Sequence, residues 1–369
     1  MHLLKRCRSR AKIRFSTVAA SVNVIGLGLI GGSIASALTK RGWRVYGEDA
    51  DSAVTQEALS LGLLAYSGLD PDAAITFVTT PATAIPPVVH RALAHTSGLV
   101  TDVGSVKGTI CSEVLDPRFV GGHPMAGSEL HGLGGSDPEL FVGATWVLTP
   151  TKTTSDDAFR GVAEVVKILG AEVMVLDPDR HDHLVALVSH LPHLTAATMM
   201  GIASKESEEN LAVLRLAAGG FRDMTRVASG SAPIWIDICR ENRQSIVGAL
   251  DEMIAGLSHM REIVDRGRYD ELLSHLQRAR EARANLPGRI ADLSDVVEVR
   301  VPISDRSGSA AEIFAIAAEL GVNIANFEVA HSVEGSSGVL VLIVEAQSAE
   351  LFRGGLMARG FRPAVQRLQ

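Results

Sequence analysis

Over the first half of the chain, short apolar runs that stop at glycine or a polar turn alternate with stretches of three-and-four apolar spacing. The runs at 22–26, 44–47, 75–79, 98–103, 119–122, 145–149 and 172–176 have the length and β-branched content of buried strands. Between the first of these, helices are predicted over 30–41, ending at Gly42, and over 53–61, closed by Gly62. Strands alternating with helices predict a parallel, doubly wound α/β sheet.

The pattern changes near Asp177. From 180 to 284 the spacing is helical almost throughout, and Leu250, Ile254, Leu257, Met260 and Ile263/Val264 mark one face expected to be buried. Leu286-Pro287-Gly288 breaks the run and reads as a linker. Alternation returns at 296–303, followed by a helix over 309–320, strands over 324–331 and 338–345, a short helix over 349–359 and a last strand. That order, βαββαβ, predicts a small α+β unit. The expected organisation is a basic extension (1–20), a nucleotide-binding domain (21–177), an all-α helical domain (178–286) and the α+β unit (293–369).

Composition narrows the function. Aromatic residues make up 4% of the chain and the formal net charge is -7, so neither base-stacking platforms nor a basic surface for nucleic acid is expected. Cys7, Cys111 and Cys239 are widely spaced and read as free thiols of a reducing compartment, the cytoplasm, with no metal motif. No apolar run is expected to be long enough to cross a membrane. Residues 1–20 carry Lys5, Arg6, Arg8, Arg10, Lys12 and Arg14 without an acid. This has some likeness to an organelle transit peptide, against the plainer reading of a disordered basic extension or a start codon placed too early.

The segment Gly26-Leu27-Gly28-Leu29-Ile30-Gly31 is GxGxxG between a predicted strand and a predicted helix. Gly26 permits the tight turn, Gly28 lets backbone approach a pyrophosphate, and Gly31 lets helix and strand pack closely. The helix N-terminus then offers free N–H groups to the phosphates. Asp49 ends the next strand at the spacing of a ribose 2′-OH contact, with Glu48 as the rival acid. A carboxylate there repels a 2′-phosphate, and Ala50 rather than arginine follows it, so NAD is expected over NADP. Thr80, just past the strand at 75–79, is a further candidate cofactor contact. This is a Rossmann signature.

Polar residues also gather where a scaffold has no need of them: GSVK at 104–107, GGHPMAGSE at 121–129, SHLPH at 189–193 and GGFRDMTR at 219–226. In this order and spacing the four motifs resemble the prephenate/arogenate dehydrogenases, from about residue 22 to residue 287. The resemblance implies loss of hydride to NAD from a ring carbinol carbon, loss of the hydroxyl proton, and departure of carbon dioxide as the ring becomes aromatic. It implies His123 as the base, a role suited to a histidine titrating near neutrality, and Ser105 as a hydrogen bond to the same oxygen. Arg226 would hold the ring carboxylate, His193 and His190 would lie near the substrate, and Glu129 would sit at the mouth. Ser105 could instead cap the following helix, Arg226 pair with Asp223, and His190 be a packing histidine. His181 and His183 read as surface residues at a helix start. The four histidines 181, 183, 190 and 193 match no zinc spacing, and Pro192 is expected to disturb any shared helical face.

The C-terminal unit resembles an ACT domain in its βαββαβ order and in the segments around Gly308 and Asn323. The resemblance implies an amino-acid effector, tyrosine foremost, at the loop after the first strand, unless the unit serves assembly alone. A homodimer is expected, because the helices after Pro233 carry more apolar positions than one lobe covers. Two alternatives stay open: arogenate as substrate, and a catalytically silent regulator sensing NAD and amino acid. Intact His123, Ser105 and Arg226 argue against the second.

Overall fold

In the computed structural model the described residues are 20–127, 130, 132–209, 212–230, 232–285, 296–304, 308–331 and 337–367. The basic extension, Glu129 and the 286–288 linker therefore lie outside the described residues. The chain divides into two compact units, Met1–His259 and Met260–Gln369.

The first unit opens with β1 (Ser21–Ile25), α1 (Leu29–Lys40), β2 (Arg44–Glu48), α2 (Ser52–Ser60), β3 (Tyr66–Ser67), β4 (Ile75–Val78), α3 (Ile85–His95) and β5 (Leu99–Asp102). It continues with α4 (Gly108–Glu113), β6 (Phe119–Pro124), β7 (Thr145–Thr149), α5 (Asp156–Ile168) and β8 (Glu172–Val175). The sheet runs β3-β2-β1-β4-β5-β6-β7-β8. Its central strands are buried on both faces, with Val22, Val24, Ile75 and Phe77 each at 0% exposure, which is why they read as unbroken apolar runs.

One expectation is corrected. The sheet is parallel from β3 to β6, but β7 runs antiparallel to β6, with His123 opposite Val147. Among the described residues the connection from β6 to β7 contains a 3-10 turn (Leu133–Gly135) and no α-helix that would carry the chain back for a parallel crossover. Helix α5 restores it, and β8 lies parallel to β7.

A helical lobe follows in the same unit: α6 (Pro178–Val185), a π turn (Ala186–His190), α7 (Leu191–Glu209), α8 (Ala212–Arg215), α9 (Gly219–Thr225), a 3-10 turn (Arg226–Ser229), α10 (Ala232–Glu241) and α11 (Arg243–Asp265), whose last turns belong to the second unit. The segment Pro178–Ser207 forms one helical run long and apolar enough, by length and composition, to cross a membrane. This amends the expectation that no run reaches that length. The pattern breaks at Pro192 in sequence, whereas the fold passes through it by a π turn. The lobe's core is small, built on Ala186, Ile238, Ile246 and Ala249. Ile254 and Leu257, expected on a buried face, are 59% and 58% exposed, while Ile263 of the same face is buried, so part of that face is left uncovered by the described residues.

The second unit contains α12 (Tyr269–Ala284), β9 (Val296–Ser304), α13 (Ser309–Glu319), β10 (Ile324–His331), β11 (Ser337–Glu345), α14 (Ala346–Ala358) and β12 (Ala364–Arg367). The strands form an antiparallel sheet in the order β10-β11-β9-β12, the split βαββαβ arrangement. Ile313 and Ile316 of α13 and Phe352 and Leu356 of α14 pack with Val299, Val301, Leu340 and Leu342 in one core.

A buried ion pair locks the sheet end that carries the polar motifs. Lys107 Nζ meets Asp102 Oδ2, both side chains fully buried, and also donates to the Gly122 carbonyl at 2.8 Å. Asp102 accepts from Gly104 N at 2.8 Å and Gly122 N at 3.1 Å, tying the loop after β5 to β6. Removing one partner of such a pair leaves an uncompensated buried charge, at a cost of about 3–5 kcal/mol. Lys107→Met is therefore expected to lower the urea unfolding free energy by that order; a loss under about 1 kcal/mol would show the pair to be dispensable.

Candidate active site

The nucleotide loop folds as its glycines dictate. Gly26 has φ 98°, and a Cβ there would lie 2.8 Å from the Thr79 carbonyl oxygen. A Cβ on Gly31 would come within 1.9 Å of the Gly26 carbonyl oxygen, which fixes how closely α1 crosses β1. Gly28 meets nothing within 4 Å on its Cβ side. Leu27 N donates to Asp49 Oδ2 at 2.7 Å, and Asp49 Oδ1 accepts from Asp51 N at 3.0 Å, so Asp49 holds the loop in place. Glu48 pairs with Arg91 at 2.5 Å.

This loop is one wall of a cavity of about 1240 Å³. Gly26, Gly28, Leu29, Ile30, Asp49 and Thr80 line it, as do Glu48 and Arg91; Leu27 and Gly31 stand behind. Thr80 Oγ1 is buried and has no hydrogen-bond partner among the described residues, a polar atom left for a ligand. The open side of Gly28, the α1 N-terminus, the orphaned Thr80 hydroxyl and the Asp49 carboxylate together fit a dinucleotide.

The opposite wall brings in Ser105, His193 and Arg226. Ser105 does not cap α4, whose N-cap is Lys107. The His193 ring stacks on Trp235 with centroids 3.5 Å apart and planes at 14°. His190 does not line the cavity. It is 1% exposed, beside Asn242 Nδ2 at 3.3 Å and edge-on to Trp235, so the expectation of a substrate contact is corrected to the packing role. Burial lowers its pKa to about 4, and burial also lowers that of His193.

His123, at the end of β6, is half-buried and stands outside the cavity lining. Its Nδ1 lies 2.8 Å from His181 Nε2, and His181 Nδ1 lies 2.8 Å from Asp182 Oδ1. His181 is fully buried, which overturns its reading as a surface residue; His183, the other one so read, is exposed. Helix α6 turns the 181 position inward against β6. Burial, followed by the neighbouring His181, the Lys107 cation and His190, pushes the His123 pKa well below 6.5. The expectation of titration near neutrality is corrected accordingly: the His123 imidazole is neutral at physiological pH.

The π turn aligns this wall. Twelve residues separate His181 from His193, an offset of about 120° in a regular helix at 3.6 residues per turn. A π turn absorbs one residue and reduces the offset to about 20°. It sits immediately ahead of Pro192, whose ring would clash with the carbonyl of residue 188 in a regular helix. The proline was expected to spoil a shared face; the turn it accompanies creates one.

In the second unit Gly308 has φ 91° and precedes α13 as its N-cap, while Asn323 is exposed ahead of β10.

A Rossmann sheet with a dinucleotide-sized cavity that Ser105, after β5, and Arg226, from the helical lobe, both line, and with His123 at the end of β6, defines an NAD-dependent dehydrogenase. The nucleotide-binding domain of prephenate dehydrogenase matches residues 34–175, and the prephenate dehydrogenase dimerization domain matches 177–278. The chain is 34% identical to the prephenate dehydrogenase of Bacillus subtilis (strain 168), over 87% of this chain and 91% of that one. It is similar to the crystal structure of A. aeolicus prephenate dehydrogenase in complex with hydroxyphenyl propionate and NAD+ (TM-score 0.69, 29% identity, 74% of this chain and 100% of that one). It is also similar to Synechocystis arogenate dehydrogenase (TM-score 0.65, 30% identity, 72% and 100%). The chain belongs to the prephenate dehydrogenase family.

Because the Gly31 Cβ position coincides with the Gly26 carbonyl, Gly31→Ala is expected to weaken NAD binding at least tenfold by calorimetry. Unchanged affinity would show that the loop can shift and that its close packing is not required.

Proposed function

We propose that the chain catalyses oxidative decarboxylation of prephenate to 4-hydroxyphenylpyruvate. The observation that carries this reading is that Ser105, His193 and Arg226 share one cavity with the nucleotide loop. NAD, when bound, supplies the two-electron acceptor. His123 takes the ring-hydroxyl proton, and its low basicity keeps it unprotonated and ready at neutral pH. Ser105 orients the same oxygen. Arg226 holds the ring carboxylate as a permanently charged, bidentate partner until carbon dioxide leaves. His193, braced flat against Trp235, lines the substrate side.

The test is NADH formation with prephenate and with arogenate, each with NAD and NADP. Prephenate with NAD is expected to have the highest kcat/KM. Higher kcat/KM with arogenate would transfer the reading to the amino substrate, the activity named for the Synechocystis relative. No turnover of either would sink both. His123→Asn is expected to lower kcat by roughly two to four orders of magnitude with NAD binding intact. Protonation inactivates the base, and the His123 pKa is depressed. The acidic limb of wild-type kcat/KM is therefore expected below pH 6.5; a limb above pH 6.5 would point to another base.

The apolar face left open by Ile254 and Leu257, together with the match to a dimerization domain, supports a homodimer. The second unit is proposed to be an ACT-like regulatory domain, the last of the domains drawn at 21–177, 178–286 and 293–369. Tyrosine is its proposed effector, with Gly308 giving the ligand backbone access and Asn323 a side-chain hydrogen bond. Allosteric coupling of about 1–3 kcal/mol requires tyrosine to bind one state of the enzyme better than another. Gly308→Val should leave the basal rate near wild type and raise the tyrosine concentration for half-inhibition by about fivefold or more. Equal, purely competitive inhibition of both proteins would leave the unit as an assembly module.

A further inference from the structure

We propose that Asp182 and His181 are positioning residues that hold His123 in the tautomer with its proton on Nδ1, leaving Nε2 as the ring's one basic atom. The inference rests on the reading of His123 as the base.

A chain of hydrogen bonds runs outward from Asp182. Its carboxylate is an acceptor only. Oδ1 takes Lys107 N–H at 2.7 Å and faces His181 Nδ1 at 2.8 Å; Oδ2 takes Gly108 N–H at 2.8 Å. Asn242 Nδ2 donates to the Asp182 carbonyl at 2.8 Å, holding the residue from the α10–α11 junction. With the carboxylate so fixed, His181 Nδ1 must carry a proton, since a bare nitrogen would oppose its lone pair to an oxygen. A neutral His181 then has a bare Nε2, which accepts. The atom 2.8 Å away is His123 Nδ1, which must donate. The lone pair of a neutral His123 is therefore on Nε2.

Burial and its neighbours keep the His123 ring neutral before reaction. Lys107 supplies a buried cation near His123, already matched by Asp102, and His190 lies close as well. A second positive charge on His181 would add to these. When His123 Nε2 takes the substrate proton, the His123 Nδ1–H bond to His181 needs no rearrangement, and the new positive charge sits one ring away from the Asp182 carboxylate. The backbone N–H groups that Asp182 holds belong to residues 107 and 108, on the loop that presents Ser105. One carboxylate thus registers the base and its serine partner together.

Two measurements test this. The first uses the substrate-free wild-type protein with 15N-labelled histidine, resonances assigned with His123→Asn. Long-range 1H–15N spectra at pH 7.5 should give His123 a protonated Nδ1 and a bare Nε2. The opposite tautomer would overturn the proposal. This readout needs no turnover, so it stands apart from any failure of the functional reading, which the substrate assay reports. The second compares His181→Leu with His181→Gln, whose side-chain carbonyl can still accept from His123 Nδ1. The leucine variant should lose at least tenfold in kcat, toward the roughly 10⁴-fold that a mis-set tautomer costs a catalytic triad. KM should stay within about threefold, and the glutamine variant should recover part of the loss. Equal kcat for wild type and the folded leucine variant would overturn the proposal. Should the leucine variant not fold, the wild-type spectrum decides.

Discussion

A single carboxylate, that of Asp182, has to satisfy two backbone N–H groups of the Rossmann loop and one imidazole of the helical lobe. It is nearly inaccessible to water, at 7% exposure, so each acceptor site must find its donor in the protein. That requirement fixes where α6 docks against the strand ends. With α6 placed, His181 reaches His123, and the π turn carries the same helix face on to His193 at the cavity wall. The helical lobe contributes few fully buried apolar residues of its own. The polar contact is accordingly what sets the register of the two walls.

The cofactor side depends on a different constraint, close backbone approach. Gly26 and Gly31 exist as glycines because a Cβ at either would collide with a carbonyl. The result brings the α1 N-terminus to the edge of the cavity, with Asp49 spent partly on holding Leu27. The buried Lys107–Asp102 pair connects these two constraints. It joins β5, the loop that bears Ser105 and the strand that bears His123, so that the ion pair and Asp182 both hold this part of the sheet end.

Sequence reading captures what local pattern controls. GxGxxG between strand and helix, the acid at Asp49 and Ser105 fall on one cavity because strand ends in such sheets face one crevice, and the helical lobe brings His193 and Arg226 to the same cavity. The βαββαβ order of the second unit was likewise legible from alternation. What escaped depends on long-range partners. His181 sits in a polar run, Asp-Pro-Asp-Arg-His-Asp-His, that looks like an exposed helix start, and only docking on β6 makes it internal. A signal was present: an Asp-His pair one helical stretch before SHLPH is the composition of a supported histidine. The antiparallel β7 was hidden because strand direction is not in the periodicity. His190 packs beside Asn242 and edge-on to Trp235 rather than lining the cavity, a tertiary contact that the SHLPH motif does not show. Ile254 and Leu257 have the right spacing for burial, but none of the described residues covers them.

The central claim is that the proton of the substrate hydroxyl passes to Nε2 of a histidine held from behind by His181. A crystal structure of this protein with NAD+ and hydroxyphenyl propionate tests it most directly. The account predicts the ligand hydroxyl within hydrogen-bonding distance of both His123 Nε2 and Ser105 Oγ, with the His123–His181–Asp182 contacts retained. A hydroxyl out of reach of His123, or one met by Nδ1 with the His181 contact broken, would contradict it.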